Sequence, residues 1–181
     1  MIEIKLLEVA GLASALQALH LPFGKECDSI ATADSWDVRS KQNELSTHGE
    51  WHIVMSEHDK SLLRALISRG DEHAKVLRGV IVYLEINAPR YWWVEMDTYR
   101  VGKEQLASES TMHIQGRGLS EEELVKMKSE LKEGTMQKRV IMVSYQTLRR
   151  ICKQRHNHRL PEWREFCNWI LDNVPYNWML Q

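Results

Sequence analysis

Residues 79 to 96, "GVIVYLEINAPRYWWVEM", place a β-rich run directly against an aromatic helix, with a proline at the junction and no linker between them. The run carries β-branched residues and ends at Pro89, which fits the first turn of a helix because its missing N–H is unpaired there anyway. On the helix that follows, Trp92, Met96 and Tyr99 share one face, and Trp93, Asp97 and Arg100 share the next. A strand that passes straight into an amphipathic helix forces both onto one core, so a mixed α and β domain is expected.

The rest of the chain fits the same plan. "IEIKLLEV" alternates as a strand and "LASALQALHL" after Gly11 has helical spacing. Residues 22–55 are polar and mixed in period, and read as loops with a short helix or strand around Trp36 and Trp51. Ser56 caps a helix carrying Leu62, Leu63, Leu66 and Ile67, which Gly70 stops. Ser120 and Glu123 form a capping box for a helix that Gly134 ends, and "RVIMVSY" reads as a strand. Two helices close the chain: "QTLRRICKQRHNH", then one with Pro161 in its first turn that buries Trp163, Phe166, Trp169 and Ile170. At 181 residues, with no repeat or low-complexity linker, residues 1–181 form one domain able to bury about two-thirds of its unfolded surface.

Composition narrows the function. A net charge of −1 gives no general footprint for DNA or RNA, so any phosphate binding must come from a local cluster. The three cysteines, Cys27, Cys152 and Cys167, are odd in number and form no close pair, as in a reducing cytoplasm. No stretch approaches the roughly 20 apolar residues of a membrane span, and the N-terminus lacks a basic region followed by an apolar one. A soluble, cytoplasmic protein is expected. His48, His52 and His58, and the pair His156 and His158, complete no recognisable metal motif, so surface or hydrogen-bonded histidines and no metal are expected. No nucleophile elbow, Cys-His spacing or glycine-rich phosphate loop is present.

Two local signals remain. "RRICKQRHNHR", residues 149–159, holds five Arg or Lys, two His and no acid. Arg155 follows Ile151 and Cys152 by four and three residues, which continues the inward face of a helix. A guanidinium aimed inward needs a carboxylate or a ligand phosphate. "SESTMH", residues 108–113, would converge its hydroxyls and imidazole on a phosphate or base if extended beside the aromatic helix; ordinary strand and turn hydroxyls are the plainer reading. Trp92 and Trp93 serve either as core or as stacking platforms.

In order, the leucine-rich helix ending at "SRGDEH", the strand ending in "INAP", the aromatic helix, the serine-rich turn, and the late Arg and Trp resemble the flavin-dependent thymidylate synthases. The resemblance covers about residues 56 to 172. His73 falls at the family's Gly-His spacing before Pro89, and Arg100 stands where the last arginine of an R-H-R triplet belongs. Ser108 or Ser110 matches its later serine, and Arg155 and Trp163 match its final nucleotide-binding segment with one residue of slippage. The resemblance implies a homotetramer of α+β fold holding a flavin (FAD) and a deoxyuridine nucleotide between subunits. Thr98 and Tyr99 replace the first Arg and the His of the triplet, the paired Asn and Glu are absent, and Met112 and His113 stand at the final Arg-Tyr.

The whole pattern also resembles a group of small bacteriophage proteins similar to the viral sponges that sequester cyclic dinucleotide signals, such as cyclic GMP-AMP, of the host's anti-phage defence (anti-CBASS). That likeness implies a homotetramer that binds a cyclic dinucleotide without cleaving it, with no catalytic residue and no cofactor. The residue types agree, since such a ligand offers two phosphates and two purine faces. On this reading Arg100, Arg155 and Arg159 hold phosphate; Ser108, Ser110 and Thr111 bond phosphate or base; and Trp93, Tyr99, His113 and His158 stack or donate. A divergent flavin-dependent enzyme acting on a pyrimidine nucleotide, with FAD, is the alternative.

Overall fold

The structure, a computed structural model, describes residues 1–24 and 55–181. The expectations around Trp36 and Trp51, and those on Cys27, His48 and His52, lie outside these residues. The described chain runs β1 (Glu3–Ala10), α1 (Leu12–His20), α2 (Glu57–Ser68), β2 (Ile81–Pro89), α3 (Arg90–Met96), β3 (Lys103–Ser108), α4 (Thr111–Ile114), α5 (Glu121–Ser129), β4 (Met136–Ser144), α6 (Tyr145–Arg155) and α7 (Pro161–Asn173). Short 3₁₀ turns cover Leu21–Phe23, Lys75–Arg78 and Asn177–Leu180. The four strands form one sheet of order β1-β2-β4-β3, antiparallel throughout.

Alternation in β2 decides which face is core. Val82, Leu84, Ile86 and Ala88 are fully buried, while Tyr83, Glu85 and Asn87 on the other face are half-buried. Ile141 and Val143 of β4 continue the apolar face. Each such aliphatic side chain contributes roughly 1.5–3 kcal/mol on burial. The helices cover this face. Trp92, Trp93 and Met96 of α3 and Trp163, Phe166 and Ile170 of α7 are all fully buried. The Trp92 ring centroid lies 4.7 Å from Trp163 and 5.5 Å from Phe166, distances at which aromatic pairs add to plain area burial. Tyr91 ties the same two helices at their surface by donating to Glu162 Oε1 at 2.5 Å.

Most element boundaries agree with the periodicity. Ser56 caps α2 by accepting from Asp59 N–H, and Ser120 and Glu123 make the full capping box. α5 stops at Ser129, before Gly134. The aromatic helix α3 is shorter than expected: it ends at Met96, so Tyr99 and Arg100 follow it. Thr98 explains the stop, because its hydroxyl donates to Glu95 O at 2.7 Å and gives the backbone a non-helical partner. "SESTMH" is not extended along its length; Ser108 ends β3 and Ser110 caps the one-turn α4.

Gly102 then turns the chain into β3 with φ of +73°, and a Cβ placed there would lie 2.5 Å from Thr147 Oγ1 and 2.7 Å from Ser144 Oγ. Among the described residues, no helix is long and apolar enough to cross a membrane.

Two predictions follow from these contacts. Gly118 has φ of +86° but open space around its Cβ position, so Gly118→Ala costs about 1 kcal/mol. Gly102→Ala costs about 2 kcal/mol more by urea titration, because the crowding adds to the backbone strain. The Tyr91–Glu162 bond gives a pH signature. Burial alone would raise the Glu162 carboxyl, but the Tyr91 hydroxyl, a backbone N–H and nearby cations hold it below its ordinary 4.5. The bond to Glu162, with some burial, pushes Tyr91 from 10 up to about 12. A lowered carboxyl contributes stability above its unfolded pKa, and a raised phenol contributes it below its own. The stability difference between wild type and Tyr91→Phe is therefore flat from about pH 5 to 10 and shrinks on either side.

Candidate functional site

Where β3 begins and α6 begins, the chain leaves a cavity of about 490 Å³, lined by Asp71, Arg78, Ile81, Val101, Gly102, Lys103, Glu104, Met142, Ser144, Gln146, Thr147 and Arg150. That volume lies within the ~300–1,000 Å³ of small-molecule sites. Its floor is set by the cap of α6. Ser144 Oγ accepts from Thr147 N–H at 3.2 Å, and Thr147 Oγ1 donates to Val101 O at 2.8 Å. Ser144 N–H donates to Gly102 O at 2.8 Å, which closes β4 onto the turn before β3. A side chain at position 102 would occupy this corner, so glycine keeps it open.

The cations around the cavity differ in how far they are already satisfied. Arg78 Nε donates to Gln146 Oε1 at 2.7 Å. Lys103 Nζ lies 3.0 Å from Asp97 Oδ1, and Asp97 also holds Arg139 at 2.9 Å. Arg149, one residue before Arg150, is consumed by Asp71 at 2.6 Å and by the carbonyls of Gln181 and Ile67. Arg150 is different: its Nε is buried with no hydrogen-bond partner among the described residues. Leaving such a donor unpaired costs roughly 1–3 kcal/mol.

Arg150 also reaches a second cluster, its guanidinium lying 5.8 Å over the Tyr99 ring. There Glu95 Oε2 accepts from Arg155 Nη1 at 2.7 Å and from the Trp163 indole N–H at 2.9 Å. Arg155 Nε donates to the Tyr99 hydroxyl at 2.9 Å, and that hydroxyl donates to Gln154 Oε1 at 3.0 Å. The Arg155 guanidinium stacks 4.8 Å over Trp163. His158 Nδ1 accepts the Leu160 N–H at 3.3 Å, and its Nε2 lies 2.8 Å from Arg155 Nη1 and 3.6 Å from Glu95 Oε2. Beneath this cluster Cys152 is buried; its bond with Cys167 and its burial raise the thiol, which keeps it protonated and unreactive.

The structure thus brings together Tyr99, Arg155 and His158 of the sequence-derived set. The inward phase of Arg155 is as expected, and of its two possible partners the protein supplies the carboxylate. The other residues lie elsewhere. Trp93 is fully buried, donates to Gln137 O at 2.8 Å and carries Arg139 at 4.6 Å over its ring. Thr111 is buried with its hydroxyl on Lys128, and Ser110 Oγ accepts from His113 N–H at 3.4 Å. Arg100, Ser108, His113 and Arg159 are exposed. Sequence reasoning missed Glu95 and Arg150. The doubled arginine at 149 and 150 was on the page, but helical phase alone does not say which of two neighbours a carboxylate consumes.

Two solved structures of flavin-dependent thymidylate synthase ThyX from Helicobacter pylori, each complexed with FAD and dUMP, are similar to this chain. They align over 99% of it and 98% and 97% of their own chains, with TM-scores of 0.65 and 0.66 at 13% identity. The likeness establishes a ThyX-like fold. No family model and no curated protein matches the sequence.

The Glu95 cluster makes a definite energetic prediction. Arg155→Ala leaves Glu95 without its strongest donor and Trp163 without its stacked cation, so it destabilises the protein by about 1–3 kcal/mol. In a double-mutant cycle with Glu95→Gln, the coupling energy is about 1 kcal/mol or more; a value near zero would show that the two side chains do not pair in solution.

Proposed function

We propose that this protein binds a nucleotide in the cavity between β3, β4 and the first turns of α6. The observation that carries the reading is Arg150, which lines that cavity and whose Nε has no hydrogen-bond partner among the described residues. A guanidinium with spare donors matches a phosphate or a base carbonyl. Support also comes from the fold, since the neighbours of this fold hold FAD and dUMP.

Two finer readings divide on chemistry. The solved neighbours favour a divergent flavin-dependent enzyme acting on a pyrimidine nucleotide. Of the donors that line the cavity, Arg150 would face phosphate or ring carbonyls, while Lys103 is held by Asp97 and Gln146 by Arg78 and Asp71. A flavin, when bound, supplies hydride transfer. The rival is a phage protein in the host cytoplasm that sequesters a cyclic dinucleotide, as a homotetramer, and it rests on Thr98 and Tyr99 standing where the resembling family carries Arg and His. The structure adds that the Tyr99 hydroxyl is already engaged by Arg155 and Gln154. Under either reading Tyr99, His158, Arg100, Arg159, Ser108, Ser110, Thr111 and His113 remain proposed contacts, the exposed ones requiring a ligand or a second subunit that reaches them.

The test is calorimetry on the purified chain with FAD, dUMP and cyclic GMP-AMP, together with the flavin absorption spectrum and heat release of bound material. Flavin binding with nucleotide turnover supports the enzyme; intact cyclic dinucleotide recovered after heating supports sequestration; binding of none of the three overturns the proposal. Arg150→Ala weakens the ligand that binds by about tenfold or more, the size of one lost charge-assisted hydrogen bond. Its Tm stays within about 2 °C of wild type, because the Nε holds no hydrogen bond and the contact over the Tyr99 ring is a long 5.8 Å.

A further inference from the structure

A second constellation lies at the other end of the described chain, and the nucleotide reading makes no use of it. α1 ends at His20, and the first turn of α2 carries His58 and Asp59 side by side. His20 Nε2 lies 2.5 Å from Asp59 Oδ1, with both residues buried at 2% and 0% exposure. His58 Nδ1 lies 3.7 Å from the same oxygen, and the two imidazole centroids are 5.7 Å apart. The three ligand atoms all lie within 4.8 Å of one another. Asp59 is held in place by its backbone N–H, which donates to Ser56 Oγ at 3.1 Å.

We propose that His20, His58 and Asp59 bind a divalent transition metal of the Zn²⁺ class. The donor set is two imidazoles and one carboxylate, the combination that suits zinc and its neighbours and fills three positions of a tetrahedral ion. Ligand bonds of ~2.0–2.2 Å around a tetrahedral centre put donor atoms a little over 3 Å apart. The His20–Asp59 contact opens by less than about 1 Å to admit the ion, and the His58 contact closes by a few tenths.

The burial pattern suits this movement. His20 and Asp59 form the fixed part, and the His58 side chain, 64% exposed, swings in to complete it. A hydrogen bond between two buried groups alone would explain His20 and Asp59. It gives no reason for a second imidazole turned toward the same carboxylate oxygen. The bound ion would tie α1 to α2 through residues 39 apart in sequence, and so add stability with metal concentration.

The test uses the metal-free full-length protein, titrated with Co²⁺ and then Zn²⁺. The expected result is one Co²⁺ per chain with a tetrahedral d–d absorption band, displaced by Zn²⁺, and a Tm raised by about 5 °C or more at a hundredfold excess over Kd. His58→Ala weakens the metal at least tenfold while the metal-free Tm shifts by less than about 2 °C, because the mostly exposed imidazole, 3.7 Å from Asp59, makes no hydrogen bond there. Asp59→Asn removes the charged ligand and the band together. Unchanged Co²⁺ affinity in His58→Ala, or no tetrahedral band in the wild type, overturns the proposal. Neither result bears on nucleotide binding, which is read separately.

Discussion

Everything in this fold leans on the contact between the aromatic face of α3 and that of α7. Trp92, pressed between Trp163 and Phe166, is fully buried and follows by three residues the proline that ends the central strand β2. A helix joined to a strand without a linker has little freedom of direction. The indole packing then selects the orientation in which α7 crosses beneath it. Because α6 runs directly from the end of β4, which pairs along the whole of β2, the placement of α7 also fixes where the basic end of α6 points. The core therefore positions the polar site, and not the reverse.

That dependence gives the two arginines of the site different meanings. Arg155 is folded into the aromatic core's edge, with a carboxylate, a phenol and an indole plane as partners, so its charge is balanced by the protein itself. A partly buried pair of this kind adds little net stability over an apolar substitute, and its removal from one side is costly. It serves best as a clamp that sets the positions of Glu95, Tyr99 and Trp163. Arg150 sits five residues earlier on the same helix, lines the cavity, and has an Nε with no hydrogen-bond partner among the described residues. Of the two, the arginine less completely satisfied by the fold is the one with binding capacity to offer.

What the sequence reveals and conceals follows the same physics. Strands and helices with one wet and one dry face are legible, and β2, β4, α1, α2 and α7 all have that pattern. β3 leaves no trace, because Glu104 to Ser108 are exposed on both faces and carry no alternation. The end of α3 is hidden as well: Trp92, Met96 and Tyr99 continue a helical spacing past the point where the Thr98 hydroxyl captures the Glu95 carbonyl. The inward phase of Arg155 is readable from Ile151 and Cys152, whereas its partner Glu95 lies 60 residues away and is visible only once folded. The cavity draws on residues spread from Asp71 to Arg150, and the His20–Asp59 pair joins residues 39 apart. Periodicity reports which side of an element is dry; it carries no information on which distant side chains meet there.

The departures at Thr98 and Tyr99 gain a structural meaning from this. Tyr99 is buried and hydrogen-bonded to both Arg155 and Gln154, so the side chain at this position has become part of the clamp that orders the end of α6. Thr98 has a comparable structural task, ending α3 and releasing the chain toward Gly102 and β3. Both positions that would separate a catalytic relative from a binding one are thus occupied by residues with local work in the fold. A phenol whose oxygen already accepts from one side chain and donates to another has little left to offer a reacting group. At the cavity wall, Lys103 is held by Asp97 and the Gln146 amide by Arg78 and Asp71, which leaves Arg150 as the cation the fold engages least.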